Sequence, residues 1–176
     1  MRLFRRFGHD QRGVSAIEFA FIAPVLIIIY FSTAELCQAL LAQRKVAHAA
    51  SAVGDLVAQV GTTTPAALSD VYAAAGEILA PYSTTPLKLR VTSVATDANN
   101  NATVAWSNAQ NTTALAAGAP VTLPANLLAA NQTVIMSEAI YTYNSPLNYL
   151  FKNAITFDNV FYLRPRQTTS VVCTGC

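Results

Sequence analysis

The chain has 176 residues, 53% of them hydrophobic and only 11% charged, with a formal net charge of +2. Four basic residues, Arg2, Arg5, Arg6 and Arg12, stand against Asp10 within residues 1–13, and without residues 1–13 the side chains fall to a net of −1, so the basic balance belongs to one end. That distribution gives no basis for a nucleic-acid partner, which needs a basic surface, and two histidines, His9 and His48, are too few to build a metal centre.

The basic leader is of the kind that stays in the cytoplasm, so the chain is expected to enter the membrane with its N-terminus inside and its C-terminus in the periplasm. From Phe19 to Ala34 there is no charge, and with Gly13–Glu18 added only Glu18 interrupts an apolar stretch of about 20 residues, enough to cross a bilayer as a helix. A secretory signal peptide would be cut after its apolar core, whereas here the sequence runs on through Leu36–Ala42 with no turn signal, so residues 14–36 are expected to remain as a transmembrane helix. Pro24 removes one helical donor, and a bend near Ala20 is expected. Glu35 marks the far boundary, where water is expected to solvate it.

Past that boundary Val46, Ala50, Val53, Val57 and Val60 recur at spacings that alternate between four and three, an apolar stripe flanked by Arg44, Lys45, His48, Ser51, Asp55 and Gln59. Gly61 followed by Thr62–Pro65 supplies a stop. The first element is therefore predicted to be one helix of roughly 45 residues, half in lipid and half in water, its stripe laid on the protein's own sheet. Leu68, Val71, Tyr72, Ala75, Ile78 and Leu79 predict a second helix within Pro65–Pro81. Strands are predicted at Leu87–Thr96, with Leu87, Leu89, Val91, Ser93 and Ala95 on one face, and at Ala102–Ser107 after the Asn99–Asn100–Asn101 turn. Asn108–Asn131 reads as an irregular loop or short helix. Thr133–Tyr143 and Asn159–Leu163 resume the strand pattern, with a helical turn expected to begin in Ser145–Ile155. The fold class is α+β: a long N-terminal helix with a small antiparallel sheet of about four strands in one extracytoplasmic domain, residues 60–176, since about 115 residues outside the membrane support one core.

The N-terminal string resembles the prepilins, and more narrowly the TadE-like family of Tad (tight adherence, Flp-type) pilus assembly proteins. Gly13 with Glu18 five positions on is similar to the site of a prepilin peptidase substrate, which implies cleavage between Gly13 and Val14 and removal of residues 1–13. The run GVSAIEFAFIAPVLIIIYFSTAEL and its continuation QALLAQRKVAHAASAVGDL resemble the TadE-like domain over residues 12–58. Phe19 replaces the Tyr that related major pilins commonly carry. Tyr141, Tyr143, Pro146 and Tyr162–Arg166 resemble the C-terminal part of such proteins, while residues 60–130 resemble no family. The resemblance implies a pilin-like fold and a minor pilin or pseudopilin of a type IVb pilus, needed for pilus assembly and adhesion. It implies as partners the prepilin peptidase, other pilins, the inner-membrane assembly platform and membrane lipid. Two readings of Glu18 stand: its carboxylate meets the amine freed by cleavage on a neighbouring subunit, as the resemblance implies, or it snorkels to water at the cytoplasmic interface.

Cys173 and Cys176 form C-T-G-C at the C-terminal end, and three readings remain open: a local disulfide, favoured by a periplasmic location, a bond to another chain, or a redox pair. Cys37 is expected to be a free, partly buried thiol, with linkage to another subunit as the alternative. Arg164 and Arg166 form a solvated strand end or a contact for an adjacent subunit. No G-x-S-x-G elbow or phosphate loop occurs and the acidic residues are scattered, so no enzyme activity and no cofactor are expected. The alternative is a permanently anchored envelope protein whose outer domain binds a ligand or surface.

Overall fold

The computed structural model describes residues 13–176, so the leader residues 1–12 lie outside the described residues. Helix α1 (Val14–Ala58) is 45 residues long and runs unbroken through Pro24. It is followed by β1 (Thr62–Thr63), α2 (Pro65–Leu79), β2 (Leu87–Thr96), β3 (Ala102–Gln110), β4 (Thr133–Tyr143), β5 (Ile155–Leu163) and β6 (Val172–Cys173). The long helix and four-stranded antiparallel sheet confirm the α+β class. The sheet order is β3-β2-β4-β5, while β1 and β6 form a separate parallel pair.

Only the second half of α1 carries the domain. Val46, Ala50, Val53 and Val57 of the stripe are buried, as are Ala39, Ala42, Ala49 and Ala58 beside them, whereas Val60 lies past the helix end and is exposed. These small side chains let α1 lie close on β4, β5 and α2. The closest approach is at Gly54, where an added Cβ would stand 2.4 Å from Leu163 Cδ1 and 3.0 Å from Ser137 Cβ. Ser137 Oγ donates to the Ala50 carbonyl at 2.7 Å, a buried bond that fixes the register of helix on sheet. Helix α2 begins where Thr64 accepts from Ala67 N–H with Pro65 in the first turn, and it buries Leu68, Tyr72, Ala75 and Leu79 against the same core. The Tyr72 hydroxyl donates to the Asn108 carbonyl at 2.9 Å, and its burial pushes its pKa well above that of an ordinary tyrosine.

Leu87, Leu89 and Val91 face the helices as the alternation predicts. A bulge at Ser93/Val94 follows, and Val94 joins Val134, Met136 and Leu128 in a second cluster. Leu115, Val121, Leu123 and Leu127 pack on that cluster, so much of the segment predicted as an irregular loop serves as a cover. Strand β3 continues to Gln110 because β2 supplies partners as far as Leu89. Strand β5 begins at Ile155, four residues earlier than predicted, and pairs with β4 along its whole length. The helical turn expected in Ser145–Ile155 does not form, and the stretch up to β5 is an irregular loop. The β2–β3 turn is built by Asp97, whose carboxylate accepts from Asn99 N–H and Asn101 N–H at 2.9 and 2.7 Å, with Asn100 at φ 68°.

The C-terminal segment returns to the far end of α1. Arg166 forms an ion pair with Asp55 and its N–H donates to the Ala58 carbonyl at 2.8 Å, so this arginine clamps its own helix; Arg164 reaches the Leu127 carbonyl at 3.4 Å. Trp106 Nε1 donates to the buried Val171 carbonyl at 2.7 Å. Trp106→Phe strands that carbonyl, and a loss of about 1–3 kcal/mol is expected, measured by denaturant unfolding followed by circular dichroism.

Candidate functional site

Two ends of the bare half of α1 hold the residues of interest. Gly13 caps the helix at φ −89° without any side-chain acceptor, and Val14 starts the helix proper, 48% exposed. Glu18 follows one turn later and is exposed, four positions from Val14 and therefore on the same face. Among the described residues no hydrogen bond or ion pair reaches Glu18. Around it the helix is apolar on every side, and its largest side chains are the most uncovered in the domain: Phe19 is 68% exposed, Phe21 77% and Tyr30 70%. Among the described residues, none covers them. A soluble core helix of this composition would be buried, whereas no part of this apolar window is, so the stretch is a single-pass membrane anchor.

At the other end lies a junction that the sequence did not disclose. Glu35 is only 1% exposed. Water does not solvate it as expected. Its carboxylate accepts instead from Ser145 Oγ and from the N–H of Leu150, both on the loop between β4 and β5. One turn further, the Tyr82 hydroxyl donates to the Gln38 carbonyl at 3.0 Å. The Tyr82 and Tyr143 rings meet edge to face at 6.1 Å, and Phe157 stacks on Tyr143 at 6.0 Å. Burial raises the pKa of the Tyr82, Tyr141 and Tyr143 hydroxyls, which keeps these phenols neutral around the helix. An aromatic collar thus grips α1 where the bare half ends.

The structure brings Gly13, Val14 and Glu18 together in the first turns of α1 and leaves the cysteines elsewhere. Cys173 and Cys176 are joined by a disulfide with Cα atoms 5.6 Å apart, next to β1. Cys37 is a free thiol, and it is exposed on α1 rather than partly buried, because it points away from the collar that covers Glu35 and Ala39. Among the described residues, no three His, Cys, Asp or Glu side chains come together in a way that could hold a metal ion.

Residues 13–55 match the family model described as TadE-like protein. The chain carries a TadE-like segment. That family serves Tad pilus assembly in a structural capacity, not as enzymes. No curated protein and no solved structure matches the chain. The TadE-like segment spans the uncovered stretch and the turns of α1 that the collar and the sheet grip, and it ends at Asp55, the residue that Arg166 clamps. The remainder of the domain, including all four strands of the main sheet, lies outside the match.

Proposed function

We propose that this chain is a minor pilin or pseudopilin of a Tad-type (type IVb) pilus, required for assembly of the fibre and for adhesion. It inserts with residues 1–13 in the cytoplasm, is cut by a prepilin peptidase between Gly13 and Val14, and passes from the inner-membrane platform into a fibre with other pilins. The observation that carries this reading is the bare apolar half of α1, which opens at Gly13–Val14 and holds the exposed carboxylate of Glu18 one turn in. A helix that has only lipid to cover it in the membrane can exchange lipid for the equivalent helices of neighbouring subunits. Glu18 then supplies the polar contact, since a carboxylate in hydrocarbon costs about 2.5–3.5 kcal/mol unless it is paired or reaches water.

Intact-mass measurement and N-terminal sequencing of the membrane-extracted protein test the reading. The expected N-terminus is Val14, and Gly13→Leu is expected to retain residues 1–13. A wild-type chain that begins at Met1 overturns the processing step. Shearing separates the fibre role from permanent anchoring, because a filament subunit is recovered in the sheared fraction and an envelope-bound receptor is not.

A further inference from the structure

The loop between β4 and β5 presents Leu147, Tyr149 and Leu150, at 48%, 49% and 49% exposure. Three large apolar side chains within four residues make a patch rather than scattered surface positions. The loop's backbone holds them outward. Ser145 and Leu150, at the two ends of the bend, are both tied to the Glu35 carboxylate, Asn148 takes a positive φ of 50° at the tip, and Phe151 turns inward to the core. The patch is therefore fixed to a defined level of α1.

That level is set by length. From Val14 to Glu35 the helix rises about 31 Å at 1.5 Å per residue, which matches a hydrocarbon core of about 30 Å. With residues 14–34 across the bilayer, Glu35 and the loop it holds stand at the outer boundary. The apolar patch is then continuous with the lipid-facing surface of the helix, and exposed Lys152 follows it. A tyrosine among leucines with a lysine beside it suits the zone where acyl chains meet headgroups.

We propose that residues 147–150 are a second membrane contact: Leu147 and Leu150 enter the outer-leaflet boundary, Tyr149 lies at headgroup level, and Glu35 is the peg that holds the loop there. The partner is the lipid surface of the same membrane, not another protein. This rests on the single-pass anchoring of α1 and is independent of whether the chain enters a fibre.

The test uses the full chain in a Cys37→Ser background with the Cys173–Cys176 disulfide intact, reconstituted in phosphatidylcholine/phosphatidylglycerol vesicles. Single cysteines are introduced by Leu147→Cys, Tyr149→Cys and Leu150→Cys, with Ile27→Cys in the span and Asp70→Cys on α2 as references, and each is spin-labelled. Collision with oxygen, which concentrates in lipid, is compared with collision with a water-soluble nickel chelate. The loop labels are expected to favour oxygen several-fold more than the Asp70→Cys label and to approach the Ile27→Cys label. If the Ile27→Cys label is open to nickel, the anchoring itself fails and the loop contact with it. If Ile27→Cys is lipid-exposed while the loop labels behave like Asp70→Cys, the loop contact alone is wrong. An oxygen preference that disappears on dilution in lipid, or spin–spin broadening at the loop, identifies a second copy as the cover and overturns the proposal. Adding Glu35→Ala to Tyr149→Cys is expected to bring the oxygen preference down toward the Asp70→Cys value, and no change removes Glu35 as the peg.

Discussion

Glu18→Ala is expected to leave the chain in the membrane but to cut its recovery in sheared filaments by about a hundredfold or more. In the proposed fibre each Glu18 meets a neighbour's amine at Val14, and removing one member of a buried ion pair costs about 3–5 kcal/mol because the other charge is left unpaired. A tenfold change corresponds to about 1.4 kcal/mol, which gives the scale of the loss. Insertion itself should not suffer, since alanine is easier to place in hydrocarbon than a carboxylate. Glu18→Gln, which keeps a hydrogen-bond acceptor but no charge, should fall between the two. Immunoblots of sheared and membrane fractions provide the measurement. Unchanged maturation, incorporation and fibre yield in Glu18→Ala would remove the basis for assigning this residue to assembly.

Gly54→Val should destabilise the domain by about 3 kcal/mol, at the upper end of the usual cost of overpacking. The first atom added, Cβ, already falls 2.4 Å from Leu163 Cδ1 and 3.0 Å from Ser137 Cβ. Leu163 is a side-chain end and can turn aside, but Ser137 Cβ is fixed by its strand and by the Ser137–Ala50 bond at 2.7 Å. Two further methyl groups therefore force α1 away from β4 and weaken that bond along with the packing of Ala50, Val53 and Val57. The modest gain in helix propensity over glycine, under about 1 kcal/mol, does not offset this. Trp106 is the single tryptophan and is buried. Its fluorescence during denaturant unfolding reports the change, and a loss below about 0.5 kcal/mol, the scale of an ordinary surface substitution, would show that helix and sheet are not held at this distance.

The elements that could be read from the chain are those whose own residues settle their state. Helix α1 combines a charge-free run with a regular stripe of Val and Ala, and β2 and β4 are runs rich in β-branched and apolar residues closed off by turn residues on both sides, so their bounds are read correctly. Strand β3 could not be followed past Ser107, because Asn108, Ala109 and Gln110 extend only by pairing with Leu89–Val91. The start of β5 was obscured by the charged Asp158, tolerated because the strand lies at the sheet edge. The cover formed by Leu115, Val121, Leu123 and Leu127 has no periodicity, and its one trace is that Val94 and Met136 are apolar on a face otherwise expected to meet water. At the site, Gly13, Val14 and Glu18 are legible as a local pattern. Glu35 is not, since its partners Ser145 and Leu150 lie 110 and 115 residues further along the chain.

Because α1 has no joint between its bare half and the turns gripped by the sheet, it behaves as a mast on which the domain is rigidly mounted. Glu35, Gln38 and the tyrosines around them remove the swivel that a flexible stalk would allow. Any inclination of the mast in the bilayer is passed on undiminished: the rise from Glu35 to Ala58 is about 35 Å, so leaning by about 20°, ordinary for spanning helices, carries the top sideways by about 12 Å. Membrane thickness, through the mismatch it sets with the apolar half of α1, thus contributes to where the domain points.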